Sequence, residues 1–174
     1  MALVKRFLGT AIFGYFALFM VLTLLIGLRW NKERKAPEQP IAFSHGIHAG
    51  TLNLECLFCH ESADKSYFAG VPTVQKCMEC HRNVKTDTPE VQKLAKYWED
   101  EEPVPWNRVH RIRVREFVYF THKRHIKKDI QCEQCHGDLT AMAQVRAVSS
   151  LKMGWCVSCH LENEASVDCQ ICHK

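Results

Sequence analysis

The chain has 174 residues, is 47% apolar and carries a formal net charge of +4. That composition excludes a disordered tail, a coiled coil and a multi-span transporter, and the charge is too mild to imply nucleic-acid binding. The apolar residues are unevenly placed: residues 7–28 hold 17, cysteine supplies ten more, and the other 152 positions carry only 54, about 36%. A domain that poor in hydrocarbon needs covalent staples, metals or cofactors.

Phe7 to Leu28 is a run of 22 residues without a charge. As a helix it would rise about 33 Å, the thickness of a bilayer's hydrocarbon. It has no polar face, so it does not read as a core helix. A cleaved signal peptide is the competing reading, but such regions are shorter and end in small residues. Here the run continues through Leu24, Leu25 and Ile26 to Gly27-Leu28-Arg29, with no A-x-A-like site. A retained anchor is therefore expected, with residues 1–35 as anchor and basic flank. Lys5 and Arg6 precede it, while Arg29, Lys32, Arg34 and Lys35 follow. Loop-charge counting alone weakly favours a cytoplasmic C-terminal side. Residues 36–42, Ala36-Pro37-Glu38-Gln39-Pro40 and the two that follow, read as a stiff linker.

All ten cysteines fall in five identical motifs: Cys56-Leu-Phe-Cys59-His60, Cys77-Met-Glu-Cys80-His81, Cys132-Glu-Gln-Cys135-His136, Cys156-Val-Ser-Cys159-His160 and Cys169-Gln-Ile-Cys172-His173. C-x-x-C-H is the attachment motif of c-type haem. The two thiols add to the two vinyl groups, and the adjacent histidine sits under the iron as proximal ligand. Zinc would need the pairs to combine into four-ligand sites. Five pairs do not divide that way, and zinc or disulfides would leave five trailing histidines unexplained. Five covalently bound haems are expected. Such haem is attached outside the energy-coupling membrane. The remainder of the chain should then be periplasmic or extracytoplasmic, on a single-pass anchor in the inner (cytoplasmic) membrane. This chemistry overrides the loop-charge count.

Five histidines remain: His45, His48, His110, His122 and His125. They match in number the five distal ligands required, without assigning each to a haem. Bis-histidine ligation leaves no open iron position, and axial ligand identity is a main lever on haem potential. His110 is the weakest member of the set, with Met142 and Met153 as thioether alternatives for one haem. Met78, inside the second motif, is expected to pack on a ring.

Phe43-Ser44-His45-Gly46-Ile47-His48 precedes Cys56, and Phe120-Thr121-His122-Lys123-Arg124-His125 precedes Cys132. Both are F-[ST]-H-x-x-H, 77 residues apart, and each leads into two haem motifs. Two related modules, 43–82 and 120–161, are expected inside a domain of 43–174, with a fifth haem in 162–174. Histidines three apart share a helix face yet are too close to serve one iron, so each leader should ligate two neighbouring haems. In the inter-module segment 83–119, Thr88-Pro89 predicts a helix start, and Val91, Leu94, Ala95 and Trp98 mark its apolar face. Glu99 to Glu102 reads as a solvated loop or, less simply, a docking patch. Arg111-Ile-Arg113-Val-Arg115 alternates like a strand. With Lys123, Arg124, Lys127 and Lys128 it makes a basic cluster suited to haem propionates, lipid headgroups or an acidic partner.

Residues 36–174 provide about 28 residues per haem, in a globule with a radius of gyration near 14 Å. Five porphyrins cannot avoid one another there. The fold expected is one transmembrane helix plus a small, coil-rich, mostly α multihaem domain acting as an electron carrier, with no catalytic residues of its own.

The F-S-H-x-x-H leader with its C-x-x-C-H motifs resembles class III multihaem cytochromes c. A longer string is more specific: Trp106-Asn-Arg-Val-His110, Val118-Tyr-Phe-Thr-His122-Lys-Arg-His125, Cys132 to His136-Gly-Asp-Leu-Thr, and Met153-Gly-Trp-Cys156 to His160. With one anchor and five haems it resembles the pentahaem cytochrome subunit of bacterial alternative complex III. That resemblance implies a quinol-oxidising assembly. Electrons would arrive from an iron–sulfur subunit beside integral membrane subunits, and leave to a monohaem cytochrome c, another soluble carrier or an oxidase. Rival readings are an anchored quinol dehydrogenase with an open haem position and a related quinone-reducing complex fed by periplasmic cytochromes. A catalytic multihaem reductase and a structural metal protein complete the set.

Overall fold

The computed structural model describes residues 2–33, 36–112 and 117–173. The chain forms two compact units, residues 1–35 and 36–174.

The first unit is one helix, α1 (Ala2–Glu33). Its window Gly9–Arg29, of mean hydropathy 2.4, is long and apolar enough to cross a membrane, and none of it is buried within the protein. The helix thus has the length and apolar surface of a membrane span.

The second unit is helical and coil-rich, with no strand among the described residues. A π-helical turn (Gly46–Thr51) is followed by α2 (Cys56–Cys59), α3 (Val74–His81), α4 (Pro89–Glu99), α5 (His122–Ile126) and α6 (Cys132–His136). A 3-10 turn (Leu139–Ala141), α7 (Met153–Glu162) and α8 (Cys169–Cys172) complete it. The alternating segment expected as a strand lies largely outside the described residues, and Arg111 and Ile112 have no regular structure.

Helix α4 begins with proline in its first turn, as the sequence predicts, and buries Val91 and Leu94. Thr88 holds the N-cap position with extended backbone, but its side chain makes no capping bond; its hydroxyl donates to the Lys85 carbonyl at 2.8 Å. Leu94 packs with Ile41 and Met78, bordered by Val74, Tyr97, Val104 and Trp106. Met78 is thus a core residue joining α3 to α4. Beyond this cluster only Ala63, Val91 and Met142 are buried hydrophobics among the described residues. The scarcity follows from the composition and leaves the domain dependent on something other than hydrocarbon.

Residues 37–42, expected as a linker, are packed onto the domain. Gln39 accepts from the Asn107 backbone N–H at 2.9 Å and donates to its carbonyl at 2.8 Å, and Asn107 Nδ2 donates to the Glu38 carbonyl. Gln144 reaches the Pro37 carbonyl, and the Ala42 N–H donates to Glu90. Side-chain amides replace the backbone ladder that proline would interrupt.

Candidate functional site

The cysteine spacing of three sets both thiols of a pair on one helical face, and each motif is helical: α2, α6 and α8 are little more than the motif, while α3 and α7 contain it. All ten cysteines are unpaired. Burial pushes the thiols of Cys59, Cys77, Cys132, Cys135 and Cys156 above their usual range. Among the described residues no three His, Cys, Asp or Glu side chains converge as a zinc ion would need.

Instead, the histidines oppose one another in twos. His45 faces His60 with ring centroids 6.5 Å apart, His48 faces His81 at 6.1 Å, His122 faces His136 at 6.3 Å, and His125 faces His160 at 6.2 Å. An imidazole centroid lies roughly 1.2 Å from its Nε2, and metal–imidazole bonds are about 2.0–2.1 Å. Two imidazoles on opposite sides of one metal therefore have centroids about 6.4 Å apart. Direct ring stacking is shorter, as where Phe43 lies 4.3 Å from His48.

The second ring nitrogen of these histidines is also accounted for. His48, His60, His81, His122, His125, His160 and His173 each place Nδ1 2.7–3.0 Å from a backbone carbonyl. A donated Nδ1–H fixes the tautomer and leaves Nε2 free, the arrangement of metal-bound histidine. Burial, aided by His60 and His48, lowers His45 to about 4. Burial, then His110 and His122, brings His136 to about 4 as well. Both are neutral at pH 7, the form that ligates metal. His45 Nδ1 is buried without a hydrogen-bond partner among the described residues.

The two leaders repeat in three dimensions. Phe43 meets His45 edge-on at 4.9 Å and lies against His48; Phe120 meets His122 edge-on at 4.9 Å and His125 at 4.7 Å. His48 bonds the Ser44 carbonyl and His125 the Thr121 carbonyl, each four residues back. Each leader docks on the other module. Gly46 N–H donates to the Met142 carbonyl at 2.8 Å, just beyond the third motif. His122 takes the Tyr67 carbonyl at 3.0 Å, just beyond the first. Burial first, and then Cys56 beside it, raises the Cys132 thiol.

Burial first, and then thiols of a neighbouring motif, raise several of these cysteines: Cys59 acts on Cys77, Cys159 and Cys156 on Cys135, and Cys172 on Cys156. Exposed apolar side chains flank them, including Leu57, Phe58, Leu161 and Ile171. Apolar surface beside paired thiols and opposed imidazoles is the chemistry of a porphyrin cradle, so the residues fit covalently attached haem.

His110 and the methionines are placed differently. His110 Nε2 lies 3.3 Å from His136 Nδ1, with the rings edge-on at 4.3 Å. Met142 is buried, its methyl against Gly137, and Met153 is exposed at the start of α7. His173 bonds the Phe117 carbonyl, and no histidine faces it as the other four proximal residues are faced. Sequence reasoning missed the partner carbonyls of Tyr67, Gly70, Val84, Phe117 and Ser166, since any residue type supplies one.

Residues 28–108 match the Class III cytochrome C family, and residues 118–174 match Cytochrome c7 and related cytochrome c. The chain is 30% identical over 166 residues to the "Menaquinone reductase, multiheme cytochrome c subunit" of Nitratidesulfovibrio vulgaris, an alignment covering 79% of this chain and 77% of the relative.

Proposed function

The chain belongs to the class III multihaem cytochrome c family, and from that premise we propose that it is the anchored electron-carrier subunit of a quinone-linked membrane oxidoreductase. It holds five covalently bound haems on the extracytoplasmic side of the cytoplasmic membrane. The four opposed imidazole pairs carry this reading. The thiols of each C-x-x-C pair hold one haem, with His60, His81, His136, His160 and His173 as proximal ligands. His45, His48, His122 and His125 are the distal partners of the first four in that order. When bound, c-type haem exchanges one electron per iron between ferric and ferrous states.

The chain's residues keep that exchange free of other chemistry. At the four paired centres, imidazoles on both sides deny small molecules a coordination position, as suits a carrier. Carbonyls on Nδ1 hold each ring's tautomer and tilt, and Phe43 and Phe120 brace the distal rings. Because each leader serves two irons, the layout of motifs is stiff.

The relative's name supports a role in menaquinone reduction; on that reading electrons would come from periplasmic cytochromes. The anchor, the five motifs and the string from Trp106 to His160 support the quinol-oxidising alternative complex III type. In that assembly an iron–sulfur subunit, integral membrane subunits and a monohaem cytochrome c or oxidase are the partners. Both give this chain the same task and differ in direction. Intact mass of the mature protein tests the shared part: five haem adducts and a retained Phe7–Leu28 span are expected, and an adduct-free polypeptide refutes it. Assaying the copurified complex for menaquinone reduction against menaquinol oxidation decides the direction.

A further inference from the structure

Ten histidines matched to five haems suggest five identical centres, but the placement of His110 breaks the pattern. We propose that His110 is a positioning residue for His136, not an axial ligand, so that the iron held by His173 receives no second imidazole from this chain. The inference rests on the haem reading above.

Three observations carry it. First, His136 is already opposed by His122 at the one-iron separation, and His110 lies on its other side, against Nδ1. His110 therefore stands where a backbone carbonyl stands for the other four proximal histidines. Second, its Nε2 is occupied: with His136 metal-bound through Nε2, His136 Nδ1–H donates and His110 Nε2 accepts. Third, all ten histidines are among the described residues, four pairs use eight of them, and His110 and His173 form no pair. The exception falls at the last of the five motifs in the chain.

An imidazole acceptor is more basic than a carbonyl and gives His136 more electron density to share with iron. Removing it should raise one reduction potential.

The test uses the full-length, haem-loaded chain purified alone in detergent. Intact mass first counts haems: fewer than five adducts defeats the haem reading itself, before this inference is reached. Near-infrared magnetic circular dichroism of the ferric protein then types the axial pairs. Four bis-imidazole centres and one of another kind are expected. H110L should keep four, with one midpoint shifted upward in reductive titration. H110Q, whose amide oxygen can accept, should move that midpoint back. H48A should leave three. Five bis-imidazole centres in the wild type, or loss of one in H110L or H110Q, overturns the proposal.

Discussion

The interlock of the two modules is tested at Gly50. A Cβ on Gly50 would lie 2.3 Å from the Thr140 carbonyl oxygen and 3.3 Å from its carbon. Ordinary van der Waals contact begins near 3.4 Å, so the shortfall from oxygen is about 1 Å. The obstacle is backbone, which cannot rotate away as a flexible side chain would. Gly46, one turn earlier, is the internal control: its Cβ would meet the same oxygen at 3.3 Å and the Met142 oxygen at 3.4 Å, a tenth of an ångström from comfort. Overpacking of the first kind costs about 1–3 kcal/mol. For a domain of this size that is roughly 4–12 °C in Tm. Gly46→Ala should cost much less, since alanine also favours helical backbone. Differential scanning calorimetry of the haem-loaded variants reads the difference. Displacing the Gly46–Thr51 turn also moves His48 relative to His81, so Gly50→Ala should broaden the low-spin signal of that centre. Equal melting temperatures for the two variants would refute the claim that the first leader is seated on the segment beyond the third motif.

His125→Ala leaves His160 with no opposing imidazole; one low-spin centre should be lost and be restored by added imidazole, followed by electron paramagnetic resonance. Replacing both Cys169 and Cys172 by alanine removes both thioether attachments of one motif, and intact mass should show one haem fewer; an unchanged count would sink the attachment assignment. Leu94→Ala opens a cavity between Ile41 and Met78, at a cost of about 2–5 kcal/mol with haem content unchanged, measured by calorimetry and haem absorbance together.

Covalent chemistry and short-range geometry were legible in the residues alone. A C-x-x-C-H motif announces its cofactor because thiols and histidine must sit within one helical turn. The spacing of His45 to His48, and of His122 to His125, predicts that each leader serves two neighbours. Proline after Thr88 marks a helix start, and an unbroken apolar run marks a span. Each of these depends on fewer than two dozen consecutive residues. The seating of residues 37–42 on Asn107 was not legible, because amide side chains there do what a strand ladder does elsewhere.

Sequence by itself therefore determined what is bound, how many attachment points exist and which histidines are available. Only the tertiary structure decided which imidazole faces which, that the first motif neighbours the third, and that His110 sits behind His136. Contacts that reach across 26 to 107 residues seat these elements, and most of the rings are held through backbone carbonyls, which every residue carries and no side-chain pattern encodes.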